Sequence, residues 1–379
     1  MPGIAVSGPE PVTHAQRLLA PERSRRTVKI AIGATVLAWV PLLLLCAFQG
    51  PDSVWSFSVD YAAQSRLLLV IAILIIAEPS LTKKLDLIAT HFLEDKLIRA
   101  DDQSHFESVL ARYRHMGNVV AYQMGLLLFA FLITASALPY IEPGTFMAWC
   151  YGSGGVQGLS PAGSWYVLVS LPIILYLFLR WIWRQLLWAL FLGAVSGMNL
   201  QTIPAHPDRV AGLGFIETCY REYIPFAFAV GTMVAGGIAN RVVHGHQRLE
   251  DYNVAPLLVG ALVIAICCAP LCFFIKTLLA AKRRGIFKYG ALASFHGRQF
   301  EERWLVEKRE AQGALEAPDF SATIDLYSVV ANVDQMRMFP LPAGSITKLA
   351  IWSIVPGIPV LLASLGVKAV VKELIKMVI

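Results

Sequence analysis

The sequence predicts an all-α fold, a polytopic transmembrane helical bundle of six unbroken spans and one Pro-broken C-terminal span, with a small helical layer on the cytoplasmic side. Three observations predict it. Of 379 residues, 56% are hydrophobic and 15% charged, where a soluble domain has roughly 45–50% and about 25%. The apolar residues gather into runs near the ~20 that a helix needs to cross hydrocarbon. The 32 Lys and Arg, which leave a formal net charge of +6, lie mostly on one side of those runs, so the excess is topological and needs no nucleic acid to explain it. Such a composition excludes intrinsic disorder, a disulfide-stapled secreted module and most soluble enzymes.

Residues 1–29 form a basic tail with Arg17, Arg23, Arg25, Arg26 and Lys29. The apolar run after it, 30–48, exceeds the ~7–15 residues of a signal-peptide core and reads as an uncleaved first span. Further spans are expected at 67–82, 118–138, 165–187, 224–243 and 254–276, so the bundle occupies 30–281. A seventh run, 349–367, carries Pro356, Gly357 and Pro359 in its middle. Those residues would break a helix or fold it back, which leaves 346–379 as a membrane-associated or transmembrane segment. With the N-terminus cytoplasmic, Arg66, Arg241 and Arg248 fall outside, Lys368, Lys372 and Lys376 lie in a tail of undecided side, and the other 26 basic residues lie inside. That asymmetry orients the chain.

The inside segments carry the organisation beyond the bilayer. The insertion 83–117 has Leu85, Ile88, Phe92, Phe106, Val109, Leu110 and Tyr113 at helical spacing. Ser104 followed by Glu107 predicts a capping box. The third transmembrane helix is therefore expected to start near His105 and run unbroken for about 34 residues, roughly 50 Å. The loop 199–223 and the segment 282–345 complete the layer, the latter with amphipathic helices expected from Ile286 to Arg309 and from Ser321 to Met338. No internal repeat supports an inverted-repeat transporter architecture. The six cysteines lack zinc spacing and read as free thiols used as small apolar residues.

Glu78 stands about two-thirds of the way along the second span, where an ionisable group is expensive and faces a partner or a water-filled cavity. Pro79 frees the carbonyl four residues earlier. Two readings stand: an ion or proton pathway or gating pair, or a structural salt bridge at the inner interface near Lys83 and Lys84. Arg180 and Arg184 are interleaved with Trp181, Trp183 and Trp188 near the inner end of the fourth span. They are snorkelling anchors, or one faces inward and pairs with Glu78.

His206, Asp208 and Arg209, with Gly212 and Gly214, suggest a compact charge cluster at the inner mouth. His-x-Asp is half of a metal site that would need His91, Glu94 or His296 as well. The structural alternative has Asp208 capping a helix and Arg209 satisfying carbonyls or lipid phosphates. The glycines are too few and wrongly spaced for a phosphate loop. In the fifth span, the small residues Gly231, Ala235, Gly236, Gly237 and Ala239 let helices approach closely or line a narrow path. His244 and His246 are a candidate metal or pH-sensing pair, or else part of a solvated loop.

The stretch from Ile203 to Ile216 resembles the HPDRAGGLGFL-type motif of a group of bacterial inner-membrane proteins. The resemblance extends to Ala77-Glu78-Pro79, to Arg180-Trp181-Ile182-Trp183-Arg184, and to Arg283-Arg284-Gly285 followed by Tyr289-Gly290-Ala291-Leu292-Ala293. It continues through Phe300, Arg303-Trp304-Leu305 and Met336-Arg337-Met338-Phe339-Pro340 to Pro356 and Pro359, and so covers nearly the whole chain after residue 60. Val210 and Ala211 replace the expected Ala-Gly. The resemblance implies a multi-pass protein of the bacterial inner membrane and implies no reaction.

Three function classes follow. A channel or transport-type protein is expected first, on Glu78, Pro79 and the two arginines. A sensor or scaffold acting through its cytoplasmic helices is the alternative. A membrane-bound enzyme using His206, Asp208 and His296 is the third, without a recognisable nucleophile and base. No cofactor is expected. The expected partners are anionic lipid headgroups, a second copy of the chain and a cytoplasmic protein.

Overall fold

The computed structural model describes residues 14–138, 148–151, 158–245, 247–306 and 318–365. Among them the regular structure is all helical, with two isolated β-bridges, Ile98 to Leu200 and Tyr151 to Leu159. The helices are α1 (His14–Gln49), α2 (Pro51–Ser58), α3 (Tyr61–Glu94), α4 (Gln103–Asn118) and α5 (Val120–Ala137). They continue as α6 (Pro161–Ser196), α7 (Gly214–Val243), α8 (Leu249–Leu305), α9 (Pro318–Asp334) and α10 (Ala343–Ala363). Seven of these are long and apolar enough to cross a membrane: α1 from Ser24, α3, α5, α6, α7, α8 and α10. The chain is an integral, multi-pass membrane protein.

Local chemistry sets several boundaries. Asp60 caps α3, its Oδ1 accepting the Ala63 amide at 2.9 Å, and Ser160 caps α6 through the Gly163 amide at 3.0 Å. Pro161 stands in the first turn of α6, where a missing N–H costs nothing. In α8, Pro270 removes a ladder donor, and the helix tightens to a 3₁₀ stretch over Ala269–Phe274 before resuming. Two π-turns, Ser65–Val70 in α3 and Tyr166–Ser170 in α6, bulge the helices near their starts.

The structure corrects the sequence reading at three places. The third span is not continuous with the helix before it, because Val119 is extended (φ −69°, ψ 124°) between α4 and α5. Gly117 and Asn118 are weak helix formers, and the Asn118 side chain takes the Arg114 carbonyl at 3.0 Å. The capping box does not form: α4 begins at Gln103 after a 3₁₀ turn, which places Ser104 inside the first turn, and Glu107 accepts from Gln103 instead. The helix expected from Ile286 is no separate element but the continuation of the sixth span. In the Pro-broken seventh run, α10 passes through a single 3₁₀ turn, Val355–Gly357, with helical dihedrals at Ile354, Val355 and Ile358 on either side of it.

Helices α3, α6, α7 and α8 form the centre, α1 leans on α3 and α6, and α5 lies against α6. Helix α10 fills the groove between α7 and α8, where a side chain at Gly231 would overlap the Ser353 carbonyl oxygen. Between such spans the attraction is close packing, because lipid is as apolar as leucine. The outward residues, among them Leu128, Leu132, Leu257, Leu258 and Leu262, are exposed apolar groups suited to lipid. At the end of the bundle carrying most of the basic residues, here the basic end, Phe92, Phe106 and Phe274 are fully buried beside Phe191 and Phe215. An aromatic knot of this kind stabilises by roughly 2–3 kcal/mol per ring removed from water, and it ties the protruding turns of α3 and α4 to α6 and α8.

Candidate functional site

Arg180 and Arg184, one turn apart on α6, share the face turned to α3. There both guanidiniums converge on a single oxygen: Arg180 Nε and Arg184 Nη2 each lie 2.7 Å from Glu78 Oε1. The Glu78 side chain is 8% exposed, Arg184 16% and Arg180 33%. Glu78 therefore pairs with both arginines, where the sequence offered one arginine or Lys83 and Lys84. Two cations on one anion leave the site net positive. Arg184 Nε is buried and finds no hydrogen-bond acceptor among the described residues. Trp181 Nε1 donates to the Leu74 carbonyl at 3.2 Å, fixing α6 against α3 one turn before Glu78.

Beside this site lies a network the sequence reading missed. Gln185, next to Arg184, donates its Nε2 to the Ile266 carbonyl at 2.9 Å and the Cys267 carbonyl at 3.2 Å. Tyr220 also donates to the Cys267 carbonyl, at 2.9 Å, and the Tyr223 hydroxyl donates to Gln185 Oε1. These carbonyls sit where Pro270 interrupts the α8 ladder. A broken helix at membrane depth is tolerated when neighbours satisfy its freed carbonyls, and α6 and α7 do so here.

A second polar cluster occupies the far end of the same helices. Asp60, 3% exposed, accepts from Asn240 Nδ2 and Trp149 Nε1, each at 2.9 Å, besides its helix cap. Asn240 Oδ1 accepts the Tyr61 amide at 3.0 Å. Arg66, on the π-turn of α3, donates to the Tyr166 hydroxyl on the π-turn of α6 at 3.4 Å. At 1.5 Å per residue, Asp60 and Glu78 are about 27 Å apart along α3, close to the ~30 Å of a hydrocarbon core. Polar clusters thus join α3 to its neighbours at two levels.

At the basic end, the motif segment folds around Asp208. Its Oδ1 accepts the Val210 amide at 2.9 Å and the Gly212 amide at 3.2 Å, and its Oδ2 accepts the Gly214 amide at 2.8 Å. His206 Nδ1 lies 2.9 Å from Oδ1. The amides converge because Arg209, Ala211 and Gly212 all have positive φ, 59°, 57° and 93°. Burial raises the Asp208 carboxyl pKa, but the three amides and His206 outweigh it and hold the group below its ordinary 3.8. A Cβ on Gly214 would stand 2.9 Å from Asp208 Cβ and Oδ2, so that position has no room for a side chain. Asp208 thereby ties its own loop to the Gly214 amide at the start of α7, whose N-cap residue is Leu213.

The Arg209 side chain is exposed and forms no ion pair or hydrogen bond with His206 or Asp208 among the described residues. Carbonyls here are satisfied by Arg337: its amide donates to the Arg209 carbonyl at 2.8 Å and its Nη2 to the Asp208 carbonyl at 3.2 Å. Lys282 Nζ donates to the carbonyls of Asp334 and Met336, both at 2.8 Å, and Arg284 Nη2 to Thr202 O and Oγ1, both at 3.0 Å. The motif stretches around residues 206, 284 and 337 are therefore one junction.

The remaining candidates separate. His244 Nε2 donates to the Val59 carbonyl at 2.9 Å and its ring stacks on Tyr61, while His246 lies outside the described residues. His296 bonds Thr323, and His91 bonds Glu94 and Asp95. No three His, Cys, Asp or Glu side chains gather as a metal site among the described residues. No family model, curated protein or solved structure matches the chain.

Proposed function

We propose that the chain is a transport-type protein of the bacterial inner membrane, its basic end cytoplasmic, and that the Glu78, Arg180 and Arg184 site handles an anion. One observation carries this reading: two guanidiniums share a single carboxylate oxygen, and the buried Arg184 Nε has no acceptor among the described residues. A buried cationic donor left unmet is costly, so the site has residual demand for negative charge. Glu78 then acts as a tethered counter-ion that an entering anion displaces from one arginine. The charge asymmetry supports the orientation. The basic end is expected to contact anionic headgroups.

Reconstitution into liposomes tests the reading. Anion flux is expected in wild type and lost in Glu78→Gln and Arg184→Gln. Wild-type protein that passes no anion at any voltage or membrane tension would overturn it.

A second reading, a scaffold acting through α8 and α9, is favoured by their exposed apolar groups: Phe287 is 78% exposed and Ile324 68%, with Phe295 and Leu305 also open. A surface of that kind suits a protein partner or a second copy. Native-membrane purification with nothing bound and a monomeric mass would count against it.

A further inference from the structure

We propose that the cleft at the basic end, between the connecting segment Met198–Thr202 and the α8 stretch Thr277–Arg284, binds a phosphate group. The cleft is open and holds about 550 Å³, with Arg99, Asn199, Gln201, Thr277 and Arg284 on its walls. Arg284 is held from behind. Its Nη2 gives both bonds to Thr202, and its Nε and Nη1 take no partner among the described residues. Arg99 on the opposite wall is exposed and forms no ion pair among the described residues. Asp102 is occupied by the Asn199 amide at 3.3 Å.

Two guanidiniums, one of them pre-positioned, lining one cleft with a threonine, an asparagine and a glutamine, match the donors that recognise phosphate. The volume exceeds that of a bare ion and leaves room for an ester substituent. Phe273, 49% exposed, stands one turn before Thr277 on the same side of α8. A phospholipid headgroup and a free phosphate ester thus share the same chemistry here. This inference is independent of anion transport at Glu78.

The test uses the full-length protein in nanodiscs of neutral phosphatidylcholine, titrated with glycerol 3-phosphate by calorimetry. In parallel, nanodiscs containing phosphatidylglycerol are examined by native mass spectrometry for retained lipid. Binding of at least one probe is expected, weakened about tenfold by Arg99→Gln or Arg284→Gln as one charge-assisted bond is lost. Arg209→Gln, an exposed guanidinium outside the cleft, should leave it unchanged. The Arg99 carbonyl accepts the Asp102 amide at 3.0 Å, whereas its side chain forms no hydrogen bond or ion pair among the described residues, so the side-chain variant reads the site without disturbing the fold. Saturable glycerol 3-phosphate binding assigns the cleft to a free ester, and retention of phosphatidylglycerol alone assigns it to a headgroup. Binding of neither probe, or binding indifferent to Arg99→Gln and Arg284→Gln, overturns the proposal.

Discussion

Replacing Glu78 with Gln removes the single negative charge held between Arg180 and Arg184, and the two arginines should register its loss unequally. Breaking a buried pair from one side costs about 3–5 kcal/mol. The Gln oxygen still accepts a hydrogen bond, which brings the expected destabilisation to about 2–3 kcal/mol. Arg184, 16% exposed, contributes most of it, whereas Arg180, 33% exposed, is screened by solvent and contributes about 1 kcal/mol at most. A double-mutant cycle separates the two. Unfolding of the detergent-solubilised protein by sodium dodecyl sulfate, followed by tryptophan fluorescence, should give a Glu78–Arg184 coupling near ~2 kcal/mol and a Glu78–Arg180 coupling under ~1 kcal/mol. Arg184→Gln should partly rescue Glu78→Gln, because it removes a stranded cation. Equal couplings, or a neutral Glu78→Gln, would refute the reasoning.

Asp208→Asn should cost about 1–2 kcal/mol and speed amide hydrogen exchange at Val210, Gly212 and Gly214. Since the folded carboxyl titrates below 3.8, its contribution is complete above that pH and is lost as pH falls through the lower folded value; exchange that is flat with pH across this window would contradict the assignment. Gly231→Ala should drive a methyl into the Ser353 carbonyl and cost about 1–3 kcal/mol, seen as new protease cleavage in α10, whereas an uncleaved variant of wild-type stability would disprove the close approach. Tyr223→Phe leaves Gln185 Oε1 without its donor and should lower stability by about 1 kcal/mol, measured by the same detergent unfolding; no change would remove Tyr223 from the network.

The spans were legible because length and hydropathy encode them directly: five of the seven expected apolar runs lie wholly within a helix of the bundle, and 118–138 and 349–367 overlap α5 and α10. Where the reading failed, short-range competition decided the outcome, as at Gly117-Asn118, where a side chain takes a backbone carbonyl and ends a helix that hydropathy alone would continue. Residue types at the Glu78 site were also legible, and the i, i+4 spacing placed both arginines on one face. Which face, and which partner, depends on a contact across 106 positions. Asp60 and Asn240, 180 positions apart, gave no local signal at all. Asp208 was read either as one charge in a cluster or as a helix cap, and its grip on three amides stayed hidden because it requires left-handed backbone at Arg209 and Ala211, a conformation uncommon outside glycine and not visible in composition.

The seat of α10 has a consequence for assembly in time. Helix α10 follows the other six spans in the chain, so during synthesis it is the last of the seven to reach the bilayer. Until then the groove of α7 at Gly231 faces lipid or another helix. The six-helix intermediate therefore exposes a small-residue face of the kind on which transmembrane helices associate, a face open to other helices until the protein's own arrives. Delay at the Pro-containing α10 would lengthen that window and favour exchange of this helix between copies.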